Sequence, residues 1–144
     1  MFSKSEFMEA NKDKKLNTLD YLHALFKFED IHNDLLNSLG ILFNPEFIIR
    51  DNKLFFEEVF NESKYCDFIS EGRDDKEIQY WMNLIEITSI FEGMEVKEAK
   101  KFGSSIVEVW NDRIATRYSK MNVNASLIHD QITNEVFVTI NFSD

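Results

Sequence analysis

Residues Glu77–Phe91 read Glu-Ile-Gln-Tyr-Trp-Met-Asn-Leu-Ile-Glu-Ile-Thr-Ser-Ile-Phe. Apolar side chains recur at Ile78, Trp81, Met82 and Ile85, and again at Tyr80, Leu84, Ile87 and Phe91. Both sets step by three and four, the helical period. Together they cover more than half of the circumference, so such a helix must be packed on several sides. Asp74 stands at an N-cap position with Glu77 three residues later, the capping-box spacing. Gly93 follows Phe91, where a left-handed residue closes a helix. The spacing predicts a central helix over 77–91, around which the other elements are placed.

Downstream, Val96, Ala99, Phe102, Gly103, Ile106, Trp110, Ile114 and Arg117 track one stripe of a second long helix, about Glu95–Tyr118. Glycine inside a helix costs around 1 kcal/mol against alanine. Close approach of a neighbour, expected to be the central helix, would offset it at Gly103. The short Glu92-Gly93-Met94 connection predicts that the two helices pair antiparallel. Beyond them, Val123, Ala125 and Leu127 alternate with polar residues, as do Val136, Val138, Ile140 and Phe142 with their neighbours. A turn around Asp130–Asn134 makes these runs a hairpin.

Upstream, Phe47–Arg50 and Leu54–Phe56 flank Asp51-Asn52-Lys53, the pattern of a first hairpin. Leu54–Phe60 is alternatively the start of a helix, because Glu57 and Glu58 are poor strand residues. Tyr65, Phe68 and Ile69 suggest a short helix near Glu62–Ser70. Ser3 with Glu6 forms a capping box for a first helix. Asn17 or Thr18 caps a second helix, with Leu19, Leu22, Leu25 and Phe26 on one face. Ile31, Leu35 and Leu39 continue the spacing as one bent helix or two, with Gly40 as the stop. The whole chain, 1–144, is expected to be a single α+β domain. Helices would pack on one face of a mainly antiparallel sheet built from two hairpins, one of them C-terminal.

With 144 residues, 44% hydrophobic and 14% aromatic, the chain has material for a real core. A lone cysteine, Cys66, excludes an internal disulfide framework and points to a reducing, cytoplasmic setting. It reads as a buried structural thiol. The first residues show no apolar signal core, and no run approaches the length of a membrane span. His23, His32 and His129 form no helical metal pair, and no phosphate loop or nucleophile elbow is present. No cofactor, metal site or catalytic residue is expected. Trp81 and Trp110 fall on helix faces that look internal.

The chain holds 26 acidic and 16 basic residues, net −10, which argues against nucleic acid and anionic membrane as partners. The surplus is concentrated: 54–95 carries eleven acids and three bases. Glu57, Glu58, Glu62, Asp67, Glu71, Asp74, Asp75 and Glu77 crowd the approach to the central helix. Their mutual repulsion opposes folding, and an acidic face that steers and holds a basic protein partner would give them a use.

In length, acidity and these focused carboxylates the chain resembles bacterial immunity proteins, including those of contact-dependent inhibition and other polymorphic toxin systems. The resemblance implies a non-catalytic protein that binds a cognate toxin domain, commonly a basic nuclease, and blocks its active site or substrate face. Two other readings stay open. One is a small enzyme or ligand-binding domain with a pocket between sheet and central helix, where Trp81, Glu86 and His129 are the first residues to inspect. The other is an assembly subunit, in which an exposed apolar patch or sheet edge makes a homo-oligomer.

Overall fold

The computed structural model describes residues 1–143. Its helices are α1 Lys4–Ala10, α2 Thr18–Phe28, α3 Asn33–Phe43, α4 Glu62–Ser70, α5 Asp75–Asn83, α6 Ile87–Ile90 and α7 Val96–Arg117. Its strands are β1 Phe47–Arg50, β2 Lys53–Phe56, β3 Ile85–Glu86, β4 Val123–Asp130 and β5 Glu135–Phe142. The architecture is α+β, with β1-β2 and β3-β5-β4 as two antiparallel sheets. The chain divides into two compact units, Met1–Leu39 and Gly40–Asp144.

In the first unit, the capping boxes form as their spacing predicts. Ser3 Oγ accepts from Glu6 N–H while the Glu6 carboxylate accepts from Ser3 N–H at 2.6 Å. Those bonds, the one from the Ser3 main chain foremost, hold the Glu6 carboxyl below its usual pKa. Asn17, rather than Thr18, caps α2, reciprocally with Asp20. Phe2, Phe7 and Tyr21 form a ring cluster with centroids 5.8–6.2 Å apart. Leu19, Leu22 and Phe26 along α2 remain exposed. Two helices, not one bent one, span 18–43, because Glu29 leaves helical geometry at ψ 149°. Gly40 does not stop α3; the helix runs through it to Phe43. Pro45 is the physical stop, since a proline disfavours helical geometry at the residue before it.

In the second unit, Asp51 and Asn52 both take positive φ, 48° and 59°, between paired Arg50 and Lys53. This is the two-residue turn whose twist matches a hairpin, and Asp and Asn tolerate its backbone. β2 is buried along its whole length. Leu54 and Phe56 join one cluster with Phe47 and Trp110, while Phe55 joins another with Tyr65, Phe68, Ile78 and Met82. Glu57 and Glu58 fall in a short 3-10 turn beyond the strand, so their weak strand propensity is never tested.

The central helix is shorter than its periodicity predicts. α5 ends at Asn83, Leu84 turns to ψ 118°, and Ile85–Glu86 pair with Val138 and Phe137 of β5. Ile85 and Ile87 are buried while Glu86 between them is half-buried, a two-residue period hidden inside the helical one. Strand pairing wins because β5 offers main-chain partners on that side. The Thr88 hydroxyl extends the edge by accepting from Val136 N–H at 3.2 Å.

α7 forms over nearly the predicted span, but it packs mainly on β4 and β5 rather than antiparallel to a long central helix. The neighbour that Gly103 admits is therefore the sheet: a Cβ there would lie 2.6 Å from Leu127 Cδ1 and 3.6 Å from Val138 Cγ2. Val136, Val138 and Ile140 face this helix-covered core with Ile106 and Trp110. Thr139, alternating with them, is also fully buried and donates its hydroxyl to Tyr80 C=O of α5 at 2.6 Å. Among the described residues no helix is long and apolar enough to cross a membrane.

Candidate partner-binding surface

α4 and α5 carry the acidic segment, and both have well-defined ends. Asn61 caps α4 by accepting from Lys64 N–H at 2.9 Å. At its other end Gly72 takes φ 72°, while Gly72 N–H and Arg73 N–H return to Ile69 C=O and Phe68 C=O. This double closure is the Schellman arrangement. The Arg73 guanidinium completes it, 4.1 Å from the Phe68 ring centroid. Asp74 then caps α5, reciprocally with Glu77.

All eight predicted carboxylates are exposed, and they divide by what they do. Glu62 takes a bidentate pair from Arg50 at 2.5 and 2.9 Å. Asp75 accepts from Lys53 Nζ at 2.9 Å, and Glu71 from Arg73 Nε at 2.7 Å. Asp74 and Glu77 serve the cap of α5. Glu57, Glu58 and Asp67 carry no ion pair among the described residues. Asp67 and Glu71 lie one helical turn apart, and three residues separate Glu71 from Asp75. The structure thus brings Asp67, Glu71, Asp74 and Asp75 to the two ends of a single connection, while Glu62 turns to the β1-β2 hairpin.

Sequence reading missed the cations that this hairpin delivers. Arg50 and Lys53 lie outside the acidic segment in the chain yet stand against Glu62 and Asp75 in the fold. The paired Glu62 carboxylate raises the Arg50 pKa. Lys53 is almost fully buried and satisfied by Asp75, by Asp51 C=O at 3.1 Å and by the Tyr65 ring 5.8 Å away. Its aliphatic stem continues the buried line of β2 while its head reaches the exposed Asp75. Asp75→Ala is expected to destabilise more than Lys53→Met. Removing Asp75 strands a buried ammonium, whereas removing Lys53 leaves an exposed carboxylate that water solvates. Urea denaturation of the two variants checks the order.

The Tyr65 hydroxyl donates to the Asp51 carboxylate. Burial first, and then that carboxylate, push the Tyr65 pKa up to about 12. The folded state thus favours the neutral phenol. Its contribution to stability is full below about pH 10, where an unfolded tyrosine titrates. It is lost as pH rises through about 12. Ultraviolet titration should show one phenol ionising late, and Asp51→Asn should bring it earlier. A titration unchanged by Asp51→Asn would contradict this assignment.

Other sequence expectations are corrected by packing. Cys66 is exposed, because α4 turns Tyr65 and Phe68 inward and leaves Cys66 off that face. Trp81 is 46% exposed, because α5 buries Ile78, Gln79, Met82 and Asn83 instead. Trp110 is internal as read, its indole N–H donating to Leu42 C=O at 2.8 Å. Among the described residues, hollows of about 400–440 Å³ lie beside Phe142, beside Phe7 and beside Tyr118, and Trp81, Glu86 and His129 line none of these. No group of His, Cys, Asp or Glu suited to hold a metal occurs among the described residues. No family model matches the chain, and neither a curated protein nor a solved structure does.

Proposed function

We propose that the chain is a non-catalytic acidic binding protein, an immunity protein of the contact-dependent inhibition or polymorphic toxin type. It acts in the bacterial cytoplasm, takes no cofactor, and neutralises a cognate basic, nuclease-type toxin domain by covering its active site or substrate face. The observation that carries this reading is the exposure of all eight carboxylates, three of them, Glu57, Glu58 and Asp67, without an ion pair among the described residues. Such groups gain Coulomb attraction when lysines or arginines of a partner approach, without first breaking an internal pair. Glu57, Glu58 and Asp67 therefore steer, while Glu62, Glu71, Asp75 and the two capping acids hold the surface in shape.

The test is association with a basic nuclease domain encoded beside this chain, followed across salt concentration. Reversing Glu57, Glu58 and Asp67 to lysine together is expected to slow association by roughly ten- to a hundredfold at low salt while leaving the fold intact. A rate indifferent to both salt and the triple reversal would end the proposal.

A further inference from the structure

The β1-β2 sheet has two edges, and the chain treats them differently. Its register runs Phe47↔Phe56, Ile48↔Phe55, Ile49↔Leu54 and Arg50↔Lys53, closed by the turn at Asp51-Asn52. In such a hairpin Arg50–Lys53 and Ile48–Phe55 exchange main-chain bonds, and the residues between them aim theirs outward. Glu57 N–H, donating to Glu46 C=O at 2.9 Å, continues the alternation. On the β2 side the outward groups are closed, Leu54 by Gln79 and Asn83, and Phe56 N–H by Asn83. On the β1 side they belong to Phe47 and Ile49. No hydrogen bond among the described residues reaches the outward main chain of either. No element besides β2 runs along β1, and Ile49 is 55% exposed.

The ends of this open stretch limit what can pair with it. Pro45 has no N–H to extend a ladder on one side, and the turn ends it on the other. A second copy running antiparallel therefore has one register that bonds both Phe47 and Ile49. Each Phe47 stands opposite Ile49 of the other copy, and Ile48 opposite Ile48. That register also sets each Glu46 opposite Arg50 of the other copy, on the face that Ile48 shares. Both side chains are exposed. Arg50 already gives two N–H groups to Glu62, with Asp51 3.9 Å from its Nε, and a guanidinium has others to offer a further carboxylate. β4 also has unbonded main chain at Val123, Leu127 and His129. It carries no lysine or arginine, so self-pairing there would set no base of the strand against Asp130.

We infer that β1 pairs with β1 of a second copy, antiparallel and centred on Ile48, to make a two-fold dimer with a continuous β2-β1-β1-β2 sheet. The residues of each Phe47–Ile49 pair exchange both main-chain bonds, and each Glu46–Arg50 pair brings opposite charges together across the strands. This surface stands apart from the basic-partner reading above.

The experiment is sedimentation equilibrium of the full chain up to millimolar concentration, in salt that screens the net −10 of each copy. The wild type is expected to dimerise, with amide exchange at Phe47 and Ile49 slowing as concentration rises. Ile49→Pro should stay folded, because that N–H serves no bond within the chain, and should stay monomeric. Glu46→Arg and Arg50→Glu should each weaken the dimer roughly tenfold or more, since like charges then stand opposite. Mixing those two variants should restore it, because every facing pair is again opposite in sign. A monomeric wild type overturns the inference, as does a mixture that associates no more tightly than its components. Slowed exchange at Leu127 or His129 in place of Phe47 and Ile49 would overturn it too, by putting the contact on β4.

Discussion

Replacing Asn83 with leucine is expected to destabilise the protein by about 3–5 kcal/mol, because one side chain completes three buried main-chain groups. Asn83 Oδ1 accepts from Phe56 N–H at 2.8 Å, and Nδ2 donates to Leu54 C=O at 2.9 Å and Gln79 C=O at 2.8 Å. Gln79, one turn earlier, accepts from Leu54 N–H at 3.0 Å and donates back to Leu54 C=O. The two amides line the free edge of β2 as another strand would. Both are fully buried, so water cannot replace them. Leucine shares the branched heavy-atom skeleton of asparagine but is bulkier and has none of its hydrogen-bonding groups, so Phe56 N–H would be orphaned in a dry core. Gln79→Leu should cost a similar amount. The double variant should cost clearly less than the sum, since both residues serve Leu54. Urea denaturation gives the numbers; a loss under about 1 kcal/mol for Asn83→Leu would show that the strand edge finds other partners.

Trp110→Ala is expected to cost about 3–5 kcal/mol. The indole is fully buried between β-hairpin and α7, with Phe56 and Phe47 ring centroids 4.7 and 5.6 Å away. Its N–H also satisfies Leu42 C=O across 68 residues of chain. Alanine leaves a large cavity bounded by rigid rings that cannot collapse into it, and an unsatisfied carbonyl besides. Trp110→Phe separates the two effects: it keeps most of the packing and loses the hydrogen bond, so a loss of about 1–3 kcal/mol is expected. Equal stabilities of the alanine and phenylalanine variants would mean that ring packing contributes little.

Local signals in this chain are strong where they are self-contained. The capping boxes at Ser3 and Asp74 and the Asp51-Asn52 turn each involve residues within a few positions of one another. Each is therefore legible without the fold. The C-terminal hairpin was equally clear, because one buried face imposes a period of two on Val136, Val138 and Ile140. The eight carboxylates were legible as a concentration of charge, and their exposure follows from their solvation.

Long-range competition was not legible. Ile85–Ile87 satisfies the helical and the strand periods at once, and only β5, some fifty residues later, decides between them. Nothing local marks Gln79 and Asn83, although they are the most committed residues of α5, because their partners lie on β2. The charge pattern could not show that Arg50 and Lys53 would reach Glu62 and Asp75, since the hairpin that returns them is itself a tertiary event.

By itself, then, the order of residues determined the α+β class, most element boundaries, the two hairpins and the acidity of the 54–95 segment, all consequences of near-neighbour sterics and solvation. The fold alone decided where the central helix breaks and which acids are neutralised. Those outcomes depend on hydrogen bonds and ion pairs between groups far apart in the chain, which have no counterpart in local sequence.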